Sequence, residues 1–143
     1  MKRIIINFKN NTKTKISKDI FEEISKKAVT IFRPKKNIII DLILVGERKI
    51  KALNKKYLGS NRITDVLSFP ISLTAEKNQP ILLGDIYICI PFVKKQIKKL
   101  KTNLSSEIRY LFIHGLLHLF GYNHSGKDKK NWQEVEKKFG GVT

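Results

Sequence analysis

The chain holds three histidines and confines them to eleven residues, HGLLHLFGYNH, from His114 to His124. Everywhere else it uses lysine freely and imidazole never. His114 and His118 are four residues apart, a spacing that sets two side chains one turn apart on the same helix face. Gly121 then leaves the helical conformation more easily than any other residue would. A turn there brings His124 back as a third nitrogen. Three protein ligands and an open position form the pattern of a catalytic zinc site, whereas structural sites are closed by four. Imidazole also serves nickel, copper and iron, so the pattern points to one divalent ion, zinc by its tetrahedral preference. Three histidines that merely pack or hydrogen-bond are the plain alternative. The shared spacing, the intervening glycine and the absence of histidine elsewhere argue against it.

The same spacing occurs in the metzincin proteases, H-E-x-x-H-x-x-G-x-x-H, glycine included. In that pattern the glutamate after the first histidine is the general base. Here the position is Gly115, which cannot take a proton. The ligand set therefore fits hydrolysis of another bond better than peptide cleavage. An ion held by three imidazoles can lower the pKa of a water, polarise a phosphoryl oxygen, or do both. Asp65 and Asp85 are carboxylates that could serve such chemistry, but either could as well fix a turn or orient a histidine. Ser68 and Thr64 are candidates for substrate contact. Thr64 and Ser68 could equally cap local backbone.

Several elements must position these residues. The segment KRIIINF near the N-terminus is rich in β-branched residues, as strands are. Ser17 can cap a helix with Ile20, Ile24, Ala28 and Ile31 inward, ending before Pro34. The nearly continuous apolar run IIIDLILV, 38–45, predicts a strand covered on both faces. A short helix follows, with Ile50, Leu53 and Tyr57 on one side and Gly59 as its stop. DVLSFP, 65–70, reads as a strand ended by Pro70. LLGDIYICI, 82–90, alternates, with Ile86, Ile88 and Ile90 on one face and Asp85, Tyr87 and Cys89 on the other. Pro91 suits the first turn of a helix with Val93, Ile97 and Leu100 inward and Lys94, Lys95, Lys98, Lys99 and Lys101 outward. Residues 104–120 are apolar nearly all round, which belongs in the middle of a fold. A last helix, about 128–139, packs Trp132, Val135 and Phe139. The expectation is one α+β domain over 1–143: a small mixed four-stranded sheet, about five helices, and a central buried helix carrying the metal site.

The formal net charge is +17. Such a charge suits a polyanion, nucleic acid above all. Lysine supplies nearly all of it, however, and Lys, Ile and Asn together are what AT-rich coding favours; a base reader more often uses arginine. The one cysteine, Cys89, allows no internal disulfide, in keeping with a reducing compartment. The apolar run after Met1 is too short for a signal peptide, and none approaches the roughly 20 residues of a membrane span. The chain reads as a cytoplasmic protein without a membrane partner.

HGLLHLFGYNH resembles the signature H-G-x-L-H-L-x-G-Y-D-H of the YbeY family of bacterial endoribonucleases, departing from it at Asn123, where the family usually has aspartate. YLGSNRITDVLSFP, 57–70, keeps the family's tyrosine, glycine and TDVLSFP; GDIYI, 84–88, and Glu107 also fit. The resemblance runs from about residue 40 to the C-terminus. It implies an α+β fold with the metal at the end of the central helix, bound by His114, His118 and His124. It implies a single-strand-specific, metal-dependent endoribonuclease that acts in ribosomal RNA maturation, at the 3′ end of small-subunit rRNA, and in ribosome quality control. Single-stranded RNA, ribosomal RNA, the small subunit and ribosome-associated proteins are the partners implied. Where the family has an arginine thought to serve the RNA chemistry, this chain has Leu58, with Arg62 four residues on; Arg62, Asp65 and Ser68 are the substrate-contact candidates that the resemblance implies.

Overall fold

The structure is a computed structural model and describes residues 2–71 and 78–140. Four strands, β1 (Ile4–Asn10), β2 (Ile38–Val45), β3 (Val66–Pro70) and β4 (Ile81–Cys89), form one sheet in the order β1-β2-β4-β3. β1, β2 and β4 run parallel, and β3 pairs antiparallel to β4. Five α-helices accompany it: α1 (Asp19–Phe32), α2 (Glu47–Leu58), α3 (Ile90–Leu100), α4 (Leu104–Leu119) and α5 (Lys129–Lys138). A single 3-10 turn, Gly126–Asp128, leads into α5. The expected mixed sheet, helix number and buried central helix are all present. No described helix is long and apolar enough to cross a membrane.

The central helix α4 lies on the face of the sheet where Ile40, Leu42, Ile86 and Ile88 are fully buried. Asn103 caps it, its side chain accepting from the Ser106 N–H at 2.8 Å, which satisfies a donor the helix leaves free. Gly115 lets α4 sit close: a Cβ there would stand 3.0–3.2 Å from three carbons of Ile86. The position where a metzincin carries its base thus points into the sheet. A glutamate there would meet β4, not a metal.

Gly84 permits a second close approach. A Cβ on it would run into the carbonyl of Phe69 and come within 2.7 Å of Leu119. Beside it the β2–β4 register shifts, Ile39 pairing with Leu82 and Ile40 with Gly84, as a bulge does. The glycine of GDIYI therefore seats the C-terminal end of α4 against β3.

Some expected faces are rotated. In α1 the buried stripe is Phe21, Ile24, Ala28 and Val29, while Ile20 and Ile31 are half-buried. Ser17 does turn the chain into α1, accepting from the Asp19 N–H at 3.2 Å. In α2, Ile50 and Leu53 are buried but Tyr57 is 57% exposed. The last turn of α2 reaches only the edge of the sheet, where the Tyr57 ring meets Phe69 of β3 at 5.1 Å and is otherwise open. Leu100, at the end of α3, is 62% exposed, whereas Val93 is buried. β2 is sealed on its α4 face only; on the other, Ile39, Asp41 and Ile43 are half-buried and α2 covers the sheet in part. Of the lysines on α3, Lys94 reaches Thr14 at 2.7 Å and Lys95 reaches Glu47 at 3.1 Å.

Candidate metal centre

The C-terminal end of α4 is closed by two backbone bonds. The Tyr122 N–H donates to the Leu117 carbonyl at 2.9 Å, and the Gly121 N–H to that of His118 at 3.0 Å. This is the Schellman arrangement, with glycine in the left-handed conformation that it requires, here at φ 89°. Aromatic rings clamp the turn: Phe32 stacks on Phe120 at 4.1 Å and also contacts Tyr122 and Phe139. Beyond it the Asn123 side chain accepts from the Ser125 N–H at 3.1 Å and from its hydroxyl at 3.0 Å. That local turn shapes the backbone carrying His124. An aspartate would accept the same two bonds, so Asn123 keeps the geometry and removes only the charge.

These constraints bring the histidines together. One nitrogen from each of His114, His118 and His124 lies within 4.8 Å of the other two. The Nε2 atoms of His114 and His118 are 3.2 Å apart. Two nitrogens on one tetrahedral zinc, each at about 2.0–2.1 Å, would stand roughly 3.3 Å apart. The donor set therefore fits a divalent ion.

Electrostatics agree. Burial, then the charges of His118 and His124, push the His114 pKa down to about 4, while Asp65 acts in the opposite direction. Burial and then His124 lower that of His118. Both rings are neutral near pH 7, the form in which imidazole binds metal. The buried Nδ1 of His114 has no hydrogen-bond partner among the described residues.

Trp132 backs the whole group. It is buried, and its ring lies 4.8, 5.0 and 5.2 Å from those of His114, His118 and His124. Glu136 holds it, accepting from the indole N–H at 3.1 Å. In sequence Trp132 is simply the first of three apolar positions on α5, and no signal there tells that this face abuts the histidines.

On the open side, His118, Ser68, Val66, Leu67, Pro70 and Leu58 line a cleft of about 270 Å³. Ser68 is thus brought to the site. Asp65 lies near enough to act electrostatically on His114 and Tyr110, and on Glu107, whose pKa is raised by burial and then by Asp65. Its side chain accepts from the Thr64 hydroxyl at 3.3 Å. Arg62 is exposed on the connection between α2 and β3, with its carbonyl accepting from Asn54 at 3.1 Å, and it does not line the cleft. Asp85 stands on the other face of the sheet beside Asp41; burial and then that neighbour raise its pKa. A larger groove of about 490 Å³ between β1 and α1 contains none of the histidines.

A mixed sheet crossed by a buried helix, with three imidazoles converging at its end, defines an α+β domain whose histidine group could hold a metal ion. The comparisons make this particular. The family model described as Endoribonuclease YbeY matches residues 5–139. Among curated relatives, an endoribonuclease YbeY of Buchnera aphidicola subsp. Schizaphis graminum is 41% identical over 130 residues, 90% of this chain and 80% of that protein. One from Thermotoga maritima is 34% identical over 84% of this chain and 72% of the relative. A solution structure from Thermotoga maritima superposes with a TM-score of 0.63 at 32% identity, covering 94% of this chain and 86% of the other. The chain belongs to the YbeY family of endoribonucleases.

Proposed function

We propose that residues 1–143 act as a single metal-dependent endoribonuclease domain, with His114, His118 and His124 binding one divalent ion, zinc, and single-stranded RNA as substrate. The observation that carries this reading is the 3.2 Å separation of two Nε2 atoms, beside a third imidazole and an open cleft, in a chain of this family. The bound ion would supply Lewis acidity toward a phosphoryl oxygen and toward water. The chain's own residues do the rest. Ser68 donates its hydroxyl to a phosphate oxygen in the cleft. Asp65 sets a negative charge near His114, which favours a cation held by the three rings. Trp132 keeps solvent from the back of the imidazoles. Exposed lysines, with Arg62, draw in the backbone phosphates, so affinity falls as salt rises. The processing of ribosomal RNA at the 3′ end of the small subunit, ribosome quality control in the cytoplasm and contacts with ribosomal proteins form the setting we propose.

The test joins elemental analysis of the purified protein to cleavage of a labelled single-stranded RNA, with His114→Ala purified alongside to expose contaminating nuclease. Stoichiometric metal and cleavage by wild type alone are expected. Equal cleavage by both would sink the enzyme reading.

A second reading has one observation in its favour. Leu58, 61% exposed, lines the cleft where the family has an arginine. A ribosome-assembly factor that binds RNA without cutting it would tolerate that loss. Retained RNA binding without metal-dependent cleavage would favour it.

A further inference from the structure

Tyr57 and Leu58, consecutive at the end of α2, are among the three large apolar side chains left exposed among the described residues, at 57% and 61%. Leu58 lines the histidine cleft beside Ser68. Tyr57 turns the other way and meets Phe69, ring centres 5.1 Å apart. Phe69 in turn meets Tyr87 at 5.9 Å. Ser68 and Phe69 are neighbours on β3, so their side chains leave opposite faces of that edge strand. The aromatic row therefore begins where the cleft ends, just across β3.

We infer that Tyr57, supported by Phe69, is a stacking platform for a base of single-stranded RNA next to the nucleotide held in the cleft. The inference rests on the proposed RNA reading of the histidine site and names how that site selects its strand.

Charge favours a nucleic acid over an apolar protein partner. The Lys56 ammonium lies 5.1 Å from the centre of the Tyr57 ring, and Lys55 and Arg62 are exposed near it in the chain. These cations bring positive charge to the exposed ring and would draw a phosphate backbone there. Asp85 pairs with Phe69 across β3 and β4, and Asp85 and Asp41 both act electrostatically on Tyr87. Carboxylate charge there repels phosphate, so the backbone is drawn to the lysines instead. Stacking needs an unpaired base with a free face. A duplex cannot offer one in its interior, so the platform itself discriminates against double strands.

The test uses metal-free protein, in which no cleavage occurs, and fluorescence anisotropy with three labelled probes of equal length. These are a single-stranded oligoadenylate, the same strand with abasic sites, and a duplex. Tyr57→Ala should weaken oligoadenylate binding about 5- to 150-fold, the range of stacking losses on alanine substitution. It should leave the abasic strand and the duplex unchanged, and Tyr57→Phe should bind within about twofold of wild type. Equal weakening of all three probes, or no weakening of any, overturns the platform. If the wild type binds oligoadenylate and Tyr57→Ala matches it, the platform fails while the RNA reading survives. If wild type binds none of the probes, both fail. A preference for the abasic strand over oligoadenylate in wild type would assign the patch to a protein partner instead.

Discussion

On the α4 wall of the cleft, each histidine is fixed by something else. His114 and His118 ride a helix seated on β4 through Gly115. His124 follows a turn tied by two backbone bonds and by Asn123, and Trp132 stands behind all three rings. On the opposite wall, Leu58 is more than half exposed at a helix end, and so is Tyr57 beside it, just outside the cleft. Ligands for an ion must be held to a few tenths of an ångström, which only close packing achieves. A surface that receives a flexible strand needs exposed rings and charges, and gains little from being buried. Ion affinity and RNA affinity should therefore be separable by mutation, one wall at a time.

The largest effect should come from the packed wall. His118→Ala removes one of two nitrogens 3.2 Å apart. It should lower metal affinity beyond the roughly 10–100-fold that loss of a merely supporting residue costs, and abolish cleavage. RNA binding by the metal-free variant should stay within about twofold of wild type. Competition against a zinc chelator reads the first effect and anisotropy the second. A parallel collapse of RNA affinity would mean the walls are one unit.

Gly115→Ala tests the seat of the helix. A new Cβ 3.0–3.2 Å from Ile86 forces either the side chain or α4 to shift. Overpacking of this kind costs about 1–3 kcal/mol, visible as a lower midpoint in urea denaturation with unchanged slope. Metal affinity should fall with it, because the shift carries His114 and His118 along. A variant as stable as wild type would show that Ile86 yields without moving the helix.

A smaller effect follows from pH. The His114 pKa is lowered from 6.5 to about 4 in the folded, metal-free protein. Between these values the unfolded chain binds the proton and the folded one does not, so stability declines as pH falls from about 6.5 towards 4. Above 6.5 this group contributes no slope. Half-buried carboxyls with raised pKa values, Asp85 and Glu107, act in the opposite sense. The measurement is therefore the difference between wild type and His114→Asn, both stripped of metal. A difference that stays flat from pH 7 to 4.5 would mean the histidine is more solvated than its packing implies.

How much of this could be read from the sequence differs between the same two walls. The spacing of His114, His118 and Gly121 carries its own geometry, because i to i+4 on a helix and glycine after it are local rules. The four strands followed from a β-branched run, a continuous apolar run, a segment stopped by Pro70 and one alternating segment. What failed was non-local. Helical periodicity assigned Tyr57 and Leu100 to the interior, yet periodicity cannot tell where the sheet beneath a helix ends. Trp132 was legible as core but not as the backing of the histidines, since α5 and α4 meet only in three dimensions. Arg62 was the nearest arginine in sequence to Leu58, but the chain leaves α2 at Gly59 and carries it clear of the cleft lining.

The smallest expected change tests the exposed wall from the other direction. Leu58→Arg restores a cation at a position lining the cleft with Ser68 and His118. The side chain is 61% exposed, so the guanidinium pays no burial cost and stability should move by less than about 0.5 kcal/mol. A phosphate contact made there adds one charge-assisted hydrogen bond, about 1.5–3 kcal/mol in a sheltered setting and less in an open cleft. RNA affinity should therefore rise by no more than about tenfold, and the gain should shrink with added salt. Metal affinity should not change, because nothing on the packed wall touches Leu58's exposed end except across the cleft. If the variant instead altered zinc affinity while leaving RNA binding alone, the division between a wall that holds the ion and a wall that receives the strand would be wrong. If it raised cleavage without raising RNA affinity, the arginine would be acting in the transition state, and the leucine of this chain would mark a slower enzyme rather than a weaker binder.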